Sequence, residues 1–258
     1  MSLIVSTKAE FLKSRRTASF WVAILGAGFI PLIFFLSYVF KPEHTIKRMG
    51  EMPWEMHFMH GWQAFAAFLL PMFVILICTQ IPQIEYRNNT WKQVLSSPQT
   101  IRNIFLSKLI AILRMVLLML LMFNLFMLLA GAVANWIIPR LNFLEKRVDW
   151  TFLIRLNFKT LVALLAIISL QYWLGLRFRN FIVAIGIGLA MLITTMLIMS
   201  WEHVYKFPYA FPFLTFSNTN PSAASARLLE NHELNSIGYF FTFTLLGFWD
   251  MRRRKGWS

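Results

Sequence analysis

The run ASFWVAILGAGFIPLIFFLSYVF, residues 18–40, contains no charged side chain. As a helix rising 1.5 Å per residue, a run of this length crosses a hydrocarbon core of about 30 Å. It therefore reads as a transmembrane helix, and five more apolar runs follow it. Residues Gly61–Pro82 are also uncharged. The third run is about Met115–Ile138, entered past Arg114. The fourth is Thr160–Leu176, the fifth Phe181–Trp201 and the sixth Leu234–Trp249. The sixth is the shortest, reaching only roughly 24 Å as a helix, so local thinning or flanking residues must help it. Composition agrees: 58% of residues are hydrophobic and 14% charged, against roughly 25% charged in a soluble domain. No polar stretch is long enough to bury a core of its own. The expected fold class is an all-α polytopic membrane protein with six transmembrane helices.

The basic start followed by an apolar run imitates a signal peptide. The run is too long for an h-region and reads as a retained first span. Six spans place both termini on one side. Fifteen of the 25 basic residues then share that side with only three acids, Glu10, Glu85 and Asp250. This Lys/Arg bias marks the termini as cytoplasmic. The net charge of +14 is mostly a topology signal plus attraction to anionic membrane lipid. The basic residues are scattered over short inner loops, which argues against nucleic acid as a partner. The single cysteine, Cys78, lies inside an apolar run and reads as a packing residue.

Before the first span, residues 1–17 place Ser6, Thr7, Glu10, Lys13 and Ser14 on one helical face. Ile4, Val5, Ala9, Phe11 and Leu12 lie mainly opposite. That pattern predicts an amphipathic helix along the inner interface, with a plain cytosolic tail as the alternative. Residues 18–258 form the membrane domain. On the outer side, residues 202–235 are apolar at KFPYAFPFLTF but interrupted by Pro208 and Pro212. Non-helical apolar backbone at a membrane needs protein around it, so this is read as a re-entrant segment. Asn220 and Pro221 are set to start a short helix there.

Between the second and third spans, residues 84–108 read IEYRNNTWKQVLSSPQTIRNIFLSK. Trp91, Val94 and Leu95 share a face, with Arg87, Lys92 and Gln93 on the wet side. Pro98 ends the first helix by Ser97, and Thr100 caps a second that leads into the third span. The result is an elbow on the inner face. An apolar patch with a charged rim suits docking of a soluble partner.

Here the chain resembles the permease subunits of ABC-2 type transporters, including the lantibiotic-immunity and bacitracin-export branch. In that family the segment after the second span carries Glu, Thr, Leu, Ser-Pro, Arg and Lys in order. Glu85, Thr90, Leu95, Ser97, Pro98, Arg102 and Lys108 match that order and spacing. Asn89 stands where many relatives have Gly. The resemblance implies that residues 84–108, Trp91 among them, are a coupling elbow set in a cleft of a cytosolic ABC ATPase. A second contact would be the inner turn containing Arg177 and Arg179. It implies a second permease chain, identical or a sister, and export across the cell inner membrane. The chain has no G-x-x-x-x-G-K-[ST] phosphate loop, so it is expected to bind no cofactor and to be no enzyme itself. ATP and Mg would sit on the ATPase subunit.

Other constellations carry weaker signals. Met49, Met52, Met56 and Met59 recur at helical spacing beside His57 and His60. Thioether and imidazole suit Cu(I), but the same stripe suits helix packing, which is the favoured reading. Gln63, Asn124 and Gln171 are polar residues in or near spans, candidates for a transport path or for bonding between helices. No catalytic set is present; the pairs Glu202–His203 and His232–Glu233 are the weak exception. The expected function is an exporter permease for an amphipathic peptide, lipid or lipid-linked molecule. A copper-linked permease and a non-transporting membrane scaffold driven by an ATPase are the alternatives, and net cargo movement in vesicles separates transport from scaffolding.

Overall fold

A computed structural model describes residues 3–15, 17–43, 46, 50, 52–219 and 228–253. Met49 and the helix start expected at Asn220–Pro221 lie outside them. Within the described residues the chain is helical, with no strand. Helix α1 is Leu3–Arg15 and α2 is Ala18–Phe40. Helix α3 runs through Pro53–Arg87, with Pro53 in its first turn, where a missing N–H costs nothing. A π-helical turn at Phe65–Leu69 interrupts it. There the Leu70 N–H reaches back five residues to the Phe65 carbonyl. Pro71, next in the chain, has no N–H for the Ala67 carbonyl, and the wider turn accommodates that gap. Helix α4 is the short Trp91–Ser96, and α5 is Ile101–Ile137. Helices α6 (Trp150–Arg177), α7 (Phe181–Leu197), α8 (Phe211–Asn218) and α9 (Asn231–Arg253) complete the fold.

Side-chain caps set several starts. Thr100 Oγ1 accepts from Asn103 N–H at α5, Asp149 from Phe152 N–H at α6, and Asn180 from Ile182 N–H at α7. Helices α2, α3, α5 and α6 are long and apolar enough to cross a membrane. Helix α7 is shorter, at 17 residues. The run expected to be the sixth span lies within α9, which is 23 residues long but is not among the helices long and apolar enough to cross a membrane. Its ends carry charge, which reads as a limit in sequence, but the acids Glu233 and Asp250 are paired. Glu233 meets Lys159, and Asp250 meets Arg177 at 2.6 Å, so the helix continues through them.

Helix α2 packs along α5, α9 along α6, α3 against α6 and α7, and α1 across the start of α5. Phe65 and Phe123 stack in the interior with centroids 3.9 Å apart. Trp21, Leu25, Phe29, Leu32 and Leu36 form an exposed apolar face on α2. Such a face is stable in lipid, whose tails are as apolar as Leu. The apolar 207–218 stretch folds as one tight turn, Pro208–Ala210, and α8. It is covered by protein, with Tyr209, Phe211, Thr215 and Phe216 buried.

Candidate functional site

The elbow begins where α3 ends. Thr90 N–H bonds the Glu85 carbonyl at 2.9 Å and Asn89 N–H bonds the Tyr86 carbonyl at 3.3 Å. These two bonds form a Schellman motif, whose C′ residue must be left-handed. That residue is Asn89, with φ of +51°. The departure from glycine at this position is thus accommodated, because Asn tolerates the left-handed region better than most residues. Helix α4 follows and stops at Ser96. Ser97 is extended, as a residue before proline must be. Thr100 then starts α5, as expected.

The root of the elbow is an ion cluster. Lys108 Nζ lies 3.0 Å from Glu10 Oε2 and 2.7 Å from Glu85 Oε2. Lys13 Nζ lies 2.9 Å from Glu10 Oε1 and 3.1 Å from Glu85 Oε1. Two cations and two carboxylates alternate in a closed ring that joins α1, α3 and α5. Lys108 and Glu85 are buried, at 0% and 1% side-chain exposure. The Trp91 ring, with Lys108 Nζ 5.6 Å from its centroid, covers the cluster from the elbow side. Burial works to raise the pKa of Glu10, but Lys108 and Lys13 prevail and hold its carboxyl below the usual carboxylate range. Burial likewise works to lower Lys13, but Glu10 and Glu85 outweigh it and keep its ammonium above the usual lysine range.

This ring explains the orientation of α1. Its polar residues Ser6, Glu10 and Ser14 are buried, while Ile4, Val5 and Leu12 are exposed. Ser6 donates to Gln99 at 2.9 Å, and Arg114 donates to Ser14 and stacks on Phe11. The polar face meets protein rather than water.

The elbow therefore differs from the expectation of an outward apolar patch. Trp91 is buried inward, and Val94 and Leu95 are half-buried. What faces out is mainly polar, Lys92, Gln93, Ser96, Thr100 and Arg102, with Pro98 and Ile101 beside them. Thr90 and Ser97 are half-buried. The α6–α7 turn is fastened to the elbow root. Tyr86 donates to the Leu176 carbonyl at 2.8 Å and Gln83 to the Phe178 carbonyl at 2.7 Å. Arg179 is exposed there, whereas Arg177 is engaged with Asp250.

The intramembrane polar residues divide. Gln171 is fully buried and donates to Thr79 Oγ1 at 2.9 Å and to the Ala184 carbonyl at 2.7 Å. It accepts from Tyr209 at 2.9 Å. It ties α3, α6, α7 and the Pro208–Ala210 turn together. Asn124 of α5 pairs with Asn157 of α6, at 2.8 Å in one direction and 3.3 Å in the other. Gln63 is exposed. In the Met/His stretch, Met52 and Met56 are exposed but His57 is buried. Tyr38 donates to His57 Nδ1, and His57 Nε2 meets the Met127 carbonyl at 2.9 Å. Neither ring nitrogen is open to a metal, and His60 Nδ1 meets the Met56 carbonyl instead. His232 and Glu233 turn to Thr215 and Lys159 rather than to Glu202.

Sequence reasoning missed Glu10 and Lys13 as members of the elbow. A signal existed: acids are scarce among the basic termini and the segments that share their side, and an acid placed there has a cation near it. All three, Glu10, Glu85 and Asp250, are ion-paired. The profile of a family described as ABC-2 family transporter protein matches residues 6–197. No curated protein matches the chain, and no solved structure does.

Proposed function

The chain belongs to the ABC-2 transporter family, and from that premise we propose that it is the membrane subunit of an ATP-driven exporter. A separate cytosolic ATPase supplies hydrolysis, and two permease chains assemble around the transport path. Helices α2, α3, α5, α6, α7 and α9 are the six spans, in the inner membrane with both termini cytoplasmic. The basic bias on the α1, elbow and Arg179 side supports this orientation. The cargo is amphipathic: a peptide, a lipid or a lipid-linked molecule. This class rests on the resemblance of residues 84–108, since fold alone does not fix cargo.

The observation that carries the reading is the build of the elbow. Helix α4 offers a polar outer face, while its root is clamped to α1, α5 and the α6–α7 turn. A push on α4 therefore reaches four helices at once. The contact face is Gln93, Ser96, Pro98 and Arg102, and Glu85 and Lys108 transmit rather than touch. The test is assembly with the ATPase followed by ATP-driven transport in proteoliposomes. Arg102→Ala with Gln93→Ala should weaken assembly and transport together while leaving the free ATPase rate unchanged. Full transport in that double variant refutes the contact face. Labelling of a Ser97→Cys variant from outside intact cells refutes the orientation.

A further inference from the structure

A cleft of about 700 Å³ opens between the end of α3, α4 and the α6–α7 turn. Three basic side chains line it, each from a different segment: Arg87, Lys92 and Arg179. All three are exposed, and none forms a salt bridge among the described residues. The one acid in the wall, Glu85, is already neutralised by Lys108 and Lys13. The N-terminus of α7 also opens here, through Asn180 and Phe181, and adds the positive end of a helix dipole. The cleft is thus suited to an anion.

The walls say which anion. Trp91 and Tyr86, their rings tilted to each other with centroids 5.4 Å apart, form one side. Phe181, at the mouth, is 45% exposed, and Ile182 beside it is 63% exposed. An apolar strip thus leads from the cations along α7. A free phosphate would use the cations only. A molecule with an anionic head and an acyl tail uses both, and basic pockets between spans on the cytoplasmic side hold such heads. We propose that this cleft binds the headgroup of an anionic phospholipid of the inner leaflet, with its acyl chain along Phe181 and Ile182. The lipid would bridge the elbow and the α6–α7 turn, the two segments assigned to ATPase contact. The leaflet, though not the binding, rests on the proposed orientation.

The test uses the purified full chain in neutral detergent, titrated with short-chain phosphatidylglycerol, short-chain phosphatidylcholine and inorganic phosphate. Trp fluorescence or native mass spectrometry reads binding. Phosphatidylglycerol should bind saturably and phosphatidylcholine far more weakly. Each cation near an anionic lipid contributes on the order of fivefold, so Arg87→Gln/Lys92→Gln/Arg179→Gln should weaken phosphatidylglycerol about a hundredfold. A charge-matched control, Lys8→Gln/Arg252→Gln/Arg253→Gln, should stay within about threefold of the parent. Arg179→Gln alone should weaken binding about fivefold, which keeps the test valid if the triple variant is unstable. Equal losses in the triple and control variants overturn the site in favour of diffuse attraction. Binding of inorganic phosphate as tight as that of phosphatidylglycerol overturns the lipid assignment. Micelles have no sides, so failure here leaves the orientation standing. Outside labelling of a Lys92→Cys variant would refute the orientation and leave the binding result intact.

Discussion

Replacing Lys108 by Met removes one charge from the ion ring and keeps the aliphatic stem. Glu10 and Glu85 then face each other with Lys13 as their remaining cation, and Lys13 is 39% exposed. Exposed pairs are worth little because water screens them, so Lys13 does not compensate. Removing one partner of a buried pair costs roughly 3–5 kcal/mol, mainly through the charge left behind. Lys108 holds α1 to α5 through Glu10, and undocking of α1 is the local opening that relieves the strain. Such a cost raises the opened fraction by about a hundredfold to several thousandfold. Ser6 reports it, being 2% exposed when α1 is docked. In a Cys78→Ala background, a Ser6→Cys thiol should react slowly in the parent and at least about a hundredfold faster with Lys108→Met. The cause is testable separately. Glu85→Gln/Lys108→Met removes one charge of each sign and leaves Glu10 with Lys13. It should protect the Ser6→Cys thiol better than Lys108→Met alone, since the uncompensated carboxylate is gone. Reaction within about threefold of the parent in Lys108→Met, or a double variant that opens further still, refutes the ring as the fastener of α1.

The same ring predicts a pH response of known sign. The folded-state pKa of Glu10 is depressed, so its contribution is full above the ordinary carboxylate range and lost as pH falls through the lowered value. Lys13 is raised, so its share is full below the ordinary lysine range and lost only as pH rises through the raised value. Protection of the Ser6→Cys thiol should be flat from about pH 6 to 9 and fall in strong acid, once its rates are corrected for thiol ionisation. A midpoint near neutrality would contradict both shifts. At the left-handed Asn89, substitution by Gly should be neutral or slightly stabilising. Asn89→Val should lower stability by roughly 1–2 kcal/mol, read as a fall in detergent melting temperature; equal melting of both variants refutes the motif. Gln171→Leu strands the polar groups of Thr79, Tyr209 and Ala184, each unmade bond costing roughly 1–3 kcal/mol. Its melting temperature should fall well below that of Gln63→Leu, which alters an exposed residue, and the reverse order would remove Gln171 as the tie between helices.

The long apolar helices and the elbow's breakpoints were readable because their causes are local. Twenty uncharged residues need no partner to declare a span, and Ser97-Pro98 and Thr100 stop and start helices by their own backbone chemistry. What was not readable came from pairing at a distance. Glu10 and Glu85 lie on separate helices, and no periodicity says that one lysine binds both. A polar stripe on α1 signals that water or a charged partner faces it, without saying which, and the partner prevailed. The pairing at the ends of α9 was unreadable for the same reason: nothing in the sequence says that Glu233 meets Lys159 or that Asp250 meets Arg177. His57 shows the converse, since a histidine among methionines has a ligand's chemistry until Tyr38 and the Met127 carbonyl occupy both nitrogens.

The two helices that leave the elbow differ in stiffness. Helix α5 runs 37 residues without a break, a rod of roughly 55 Å. A tilt of about 10° at Ile101 would displace its far end by roughly 10 Å, since a helix of that length behaves as a lever. Helix α3 meets the π turn and Pro71 partway along, where bending is cheapest. The Pro53–Ala64 half of α3 is tied to α5 through His57 and the Met127 carbonyl, so one rotation at the elbow would carry Ile137 and Pro53 together while α3 flexes at the π turn, and paired spin labels at those two ends would keep their separation.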